Sequence, residues 1–190
     1  LNKIDGAKLI DINCGTKQNA IPREGKLVLV ADEEALNEAI EFVKEKFKDV
    51  AGELVIECKE TSHDGKVLTA DDTKKLANYL LELPTGPHTF INEAKKVLES
   101  SSNLAIAKLL DDTVEVFVSL RFASSSLSEE FGKIYLDIVE KYGCEAEFIT
   151  PYPEWEYRKE SDFREIVKKI YKEITGKEIC LLYTSDAADD

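Results

Sequence analysis

Residues 7–58 and 103–150 repeat one order of elements, strand–strand–helix–strand, and that order limits the fold more than any other feature. In the first half, residues 7–12 and 26–30 are apolar and β-branched enough for strands. Residues 32–50 follow as a helix, with Leu36, Ala39, Ile40, Val43, Phe47 and Val50 at three-to-four spacing and Asp32 placed to cap it. "ELVIEC" (53–58) reads as the closing strand. In the second half, "NLAIAKLL" and "TVEVFVSLRF" flank Asp111-Asp112 as a hairpin, with Val114, Val116, Val118 and Leu120 on one face. "SLSEEFGKIYLDIVEKYG" is a helix with Ser126 and Glu129 at capping-box spacing and Gly143 at its stop. "CEAEFIT" (144–150) closes the unit. A further helix is expected over 69–84, "PTGPHTFINEA" between the halves is expected to be irregular, and a last helix begins at Ser161. The fold class that follows is α+β: two strand–strand–helix–strand units with helices on one face of a mostly antiparallel sheet.

At 190 residues the chain can bury a real core, and 43% hydrophobic with 33% charged residues describes a soluble globular protein. A net charge of −13 argues against nucleic acid, whose phosphates call for clustered Lys and Arg. No apolar run approaches the roughly 20 residues of a membrane helix, so no membrane partner is expected. Cys14, Cys58, Cys144 and Cys180 are widely spaced, which fits reduced thiols in the cytoplasm and neither a zinc knuckle nor a disulfide scaffold. The terminal "CLLYTSDAADD" (180–190) looks like a translated sequencing-library adapter. Setting it aside removes three aspartates and no bases, taking −13 to −10.

The search for chemistry is nearly empty. His63 lies in a polar turn and His88 in "GPHTF", and neither has a second histidine at metal-ligand spacing. The serines at 124–126 lack a nucleophile's strand–turn–helix setting and read as cap and loop residues. Asp71-Asp72 reads as a helix start. Two residues stand out as candidate binders. Asn19 sits in a loop too long for a minimal hairpin, beside Pro22, and its amide both donates and accepts; the bland reading is that it satisfies its own loop. Arg121 ends an apolar strand on the face shared with Glu115, Phe117 and Ser119. There it is either a solvated-face residue or a guanidinium fork for a carboxylate.

"GTKQNAIPRE" is similar to the Gly-Thr-x-Arg-Asn-Ala-Ile-Pro-Arg-Glu signature of the bacterial aminoacyl-histidine dipeptidases, also called Xaa-His or cytosol nonspecific dipeptidases. "LPTGPHTF", "VLESSSNLAIAKL" and "TVEVFVSLR" resemble that family's Pro-Asn-Gly, Glu-Thr-Ser-x-Asn and strand-Arg segments. "YPEW" (152–155) looks like its Tyr-Pro-Gly-Trp. The resemblance covers about residues 5–178. It implies a lid and dimerisation domain over 1–150, the first piece of a resumed catalytic domain over 151–179, and an internal fragment of a longer enzyme. It implies Asn19 and Arg121 as lid residues for a dipeptide's polar backbone and terminal carboxylate, and a homodimer formed through the lid.

The same resemblance implies two zinc ions in the parent enzyme, held by residues before and after this stretch. Such a site polarises the scissile carbonyl and supplies metal-bound hydroxide, while a glutamate moves the proton. This chain is expected to bind no metal, to hold no catalytic residue, and to be inactive alone. Cys14 departs from the family's Gly-Gly pair, Gln18 from its arginine, Ser100 and Ser102 from Glu-Thr-Ser-Leu-Asn, and Glu154 from its glycine. The rival reading is a free-standing, non-catalytic ligand-binding or interaction module.

Overall fold

The computed structural model describes residues 1–49, 54–92, 97–149 and 160–179. Its strands are β1 (Lys8–Cys14), β2 (Gly25–Val30), β3 (Gly86–Asn92), β4 (Val97–Leu110) and β5 (Thr113–Phe122). Its helices are α1 (Glu33–Phe47), α2 (Ala70–Glu82), α3 (Ser125–Tyr142) and α4 (Asp162–Thr175). Every pairing is antiparallel. The long strand β4 is the hub. It pairs β1 near Ala107 and β3 near Ser101, and it takes β5 along nearly its whole length. The fold is α+β, with an antiparallel sheet flanked by helices.

One face of that sheet is the core. Leu9, Ile12 and Ala107 are buried against Leu68, Leu76 and Leu80, the last two from α2. Leu83, Tyr135 and Ile138 form a second cluster with Val116, Val118 and Leu120. Val116, Val118 and Leu120 of β5 therefore face α3, and Val114 on the same side packs with the first cluster, as the alternation predicts. Asp111 takes the tight turn of the β4–β5 hairpin with φ 51°, a conformation that aspartate tolerates better than most residues. Helix ends follow local chemistry: Asp32 accepts from Ala35 N–H, Thr69 from Asp72 N–H and Ser161 from Arg164 N–H, and Gly143 and Gly176 stop α3 and α4 in the left-handed region.

Four expectations are corrected. "GPHTFIN" is not irregular but strand β3, because the backbone of β4 offers it a ladder. Leu54–Cys58 and residues 144–149 are not strands: they carry no ladder pairing, and Val55 and Phe148 are 68% and 58% exposed. The N-cap of α3 is Ser124, and its hydroxyl meets that of Ser126 (3.1 Å) instead of a backbone N–H, so the Ser126–Glu129 box does not form. Helix α2, outside the repeat, is the one that packs beside α3; α1 buries no residue. Val50, Glu53, the "YPEW" segment and residues 180–190 lie outside the described residues.

Candidate functional site

The opposite face of the sheet carries Arg121, one of the two candidate binders. Arg121 alternates with the core-facing residues of β5 and is half-buried on the outer face. Directly across from it stands Ser101, and across from Ser119 stands Asn103. Residues opposite one another in an antiparallel pair project to the same side. Asn103 is thus a diagonal neighbour of Arg121 on the outer face, while Leu104 beside it packs with the core.

The connection between β1 and β2 is held against these strands. Its base is closed by Gly15 N–H donating to Glu24 O at 3.2 Å, and a turn closes where Ala20 N–H reaches Lys17 O at 3.4 Å. Gly15 lies at φ +73°, and a Cβ on it would stand 1.9 Å from Ala105 O. Only glycine lets the loop run that close to β4. Further along, Asn103 Nδ2 donates to Ala20 O at 2.8 Å, across 83 residues of sequence. The loop is therefore fixed on both sides of Gln18-Asn19, and Asn19 itself is exposed at its tip.

Behind the sheet lies a polar seam that the sequence does not announce. Ser102, 6% exposed, donates to Pro84 O at 2.8 Å, and Tyr135 Oη donates to the same carbonyl. Because the Ser102 hydrogen is used there, His88 Nε2, 2.7 Å away, is the donor to Ser102 Oγ. This is the wrong polarity for a serine nucleophile, whose base must accept. The His88 ring stacks on Phe131 at 4.6 Å, and burial lowers its pKa. Burial likewise raises the Tyr135 phenol, with Ser102 pulling it back in part. Ser100 is buried with its hydroxyl 2.7 Å from Thr89 Oγ1. The two serines that depart from the family pattern are thus satisfied structural residues.

His63 donates to Lys66 O within its own turn (3.0 Å). Asp72 follows the Thr69 cap. Cys14 is half-exposed, and burial raises its thiol pKa. Cys14, Cys58 and Cys144 are all free thiols. Among the described residues no three His, Cys, Asp or Glu side chains gather as a metal site, and no helix is long and apolar enough to cross a membrane.

No family model matches the chain. It is 26% identical over 178 residues to the cytosol non-specific dipeptidase of Escherichia coli (strain K12), covering 90% of this chain and 36% of that protein. Its fold superposes on the crystal structure of an aminoacylhistidine dipeptidase from Vibrio alginolyticus with a TM-score of 0.80 at 23% identity, again over 90% of this chain and 36% of that one. The chain thus spans about a third of the length of the relatives it matches. Sequence and fold together give a family-level match to the aminoacylhistidine and cytosol non-specific dipeptidases.

Proposed function

We propose that residues 1–150 are the lid of a metal-dependent dipeptidase of the Xaa-His type, and that 151–179 begin its resumed catalytic domain. The lid holds the substrate and joins two copies into a cytoplasmic homodimer. The observation that carries this reading is the loop. A segment matching the dipeptidase signature is fastened by Gly15 and by Asn103, a diagonal neighbour of Arg121, and Asn19 is exposed at its tip. The likeness to two dipeptidases, each over 90% of this chain and 36% of the relative, supports it.

Arg121 has the chemistry for the dipeptide's terminal carboxylate, through two parallel N–H donors. The Asn19 amide has a donor and an acceptor for the peptide unit. Among the described residues no three His, Cys, Asp or Glu side chains gather as a donor set, and the zinc of this reading is held by residues before and after this stretch. No bond-breaking step is assigned to it. Its residues bind and orient, and the chain alone hydrolyses nothing.

The test is a purified parent enzyme, from the full open frame at the source locus, assayed on β-alanyl-histidine. Arg121→Ala is expected to lower kcat/KM by about 10- to 100-fold, the worth of a charge-assisted pair. An unchanged kcat/KM would remove Arg121 from the substrate site.

A further inference from the structure

The sequence motifs nominate Asn19 and Arg121 separately, from elements about a hundred residues apart, and nothing in either motif says what sets their relative position. The structure assigns that task to Asn103, and we propose that Asn103 is the positioning residue of the dipeptide site. This inference rests on the lid reading above and adds to it a residue that touches no substrate.

The argument is geometric. Asn103 has one foot on each half of the site. Its backbone is in the β4–β5 ladder, opposite Ser119 and one diagonal step from Arg121. Its side-chain amide holds Ala20 O, the carbonyl of the residue that follows Asn19. Ladder positions are rigid, whereas a ten-residue loop between strands has only its own short contacts to define it. Within this loop those are the closure at Gly15–Glu24 and the long turn bond at Ala20–Lys17. The Gly15–Ala105 approach fixes the loop's root but lies four residues from Asn19. The Asn103 bond ties the tip to the strand pair that carries Arg121. The bond is half-buried, so it is shielded in part from competing water. Asparagine suits the place because its Nδ2 is a donor that no pH in the working range removes.

The experiment titrates the full 190-residue chain, labelled with 15N, with β-alanyl-histidine as the probe. In the unaltered chain the Asn19 side-chain amide and the Arg121 guanidinium resonances shift along one common binding curve. Asn103→Asp keeps the shape and removes the donor. It is expected to weaken binding by about five- to tenfold, the worth of one hydrogen bond. It should also raise the fast mobility of the amides of residues 16–20, while the Val116 and Val118 amides keep their shifts. Asn103→Gln keeps a donor and is expected to recover part of the affinity. If the added charge unfolds the first variant, as lost Val116 and Val118 shifts would show, Asn103→Leu removes the donor without charge at similar volume and carries the same expectations. Wild-type affinity and loop order in the donor-less variant overturn the positioning role and leave the lid reading standing. An unaltered chain in which neither Asn19 nor Arg121 responds overturns the lid reading, and this inference with it.

Discussion

Thr73 and Leu9 are 64 residues apart, both buried, and joined by a hydrogen bond from Leu9 N–H to Thr73 Oγ1 at 2.9 Å. This bond fastens α2 to β1 at the point where the ladder with β2 slips register between Leu9 and Asp11. Thr73→Val keeps the volume and leaves the Leu9 N–H buried without a partner. The expected loss is about 1–3 kcal/mol, read as a lower urea midpoint with unchanged slope. Thr73→Ser, which keeps the hydroxyl, is expected to lose clearly less.

His88 gives the fold a pH dependence of definite sign. Burial holds its folded pKa below the ordinary 6.5. The unfolded chain therefore takes up the proton first as the pH falls. The stability contribution is complete above that ordinary value and is lost as the pH drops toward the folded pKa. The exposed Glu82 carboxyl, held low by hydrogen bonds from Lys141 and Tyr142, acts only below its ordinary 4.5. His88→Gln keeps a donor for Ser102 and removes the titration. Its urea midpoint is expected to change less than that of the unaltered chain between about pH 7.5 and about pH 5.5. Equal changes in both would show that His88 is not the titrating group.

Gly15→Ala tests the close approach of the loop to β4. The variant carries both a strained φ and a Cβ driven onto the backbone at Ala105. We expect a stability loss of about 1–3 kcal/mol in chemical denaturation. Amides of residues 16–24 should shift, because the loop must lift away from β4. A neutral substitution would mean that the loop is not seated as described.

Helix α4 makes the opposite prediction. Its apolar stripe is exposed, with Phe163 at 75% and Ile174 at 78%, and no residue of the helix is buried. Ile166→Glu together with Ile170→Glu is expected to change unfolding free energy by no more than about 0.5 kcal/mol. A large loss would show that this stripe packs on the rest of the chain.

Much of this was legible from residues. The β4–β5 hairpin was plain because Val114, Val116, Val118 and Leu120 alternate without a break, and Asp111 marks the turn. The helices were legible from three-to-four spacing and from caps that act over one turn, such as Asp32 and Ser161. Strand β3 was hidden because Gly86, Pro87 and His88 show no alternation. Its conformation is imposed by the serine-rich stretch of β4, itself low in β propensity, so the ladder overrides local preference. The closing segments failed in the other direction: residues 54–58 and 144–149 carry apolar residues but find no partner edge. Asn19 and Arg121 were nominated by motif, and the place of Arg121 diagonally beside Asn103 needed the β4–β5 register. Asn103 stood in plain view inside a matching segment, yet its bond to Ala20 spans 83 residues and no local pattern points across that distance.

The measurement that bears most directly on the central claim compares hydrolysis of β-alanyl-histidine, with zinc added, by the 190-residue chain and by the protein encoded by the full open frame at its source locus. The account predicts no turnover by the chain. The longer product should turn over substrate and carry His-x-Asp and Glu-Glu metal-site residues upstream and a metal-binding histidine downstream. Turnover by the chain alone would contradict the assignment of all chemistry to residues outside it. An open frame without those residues, and without activity, would leave a ligand-binding module in place of a dipeptidase lid.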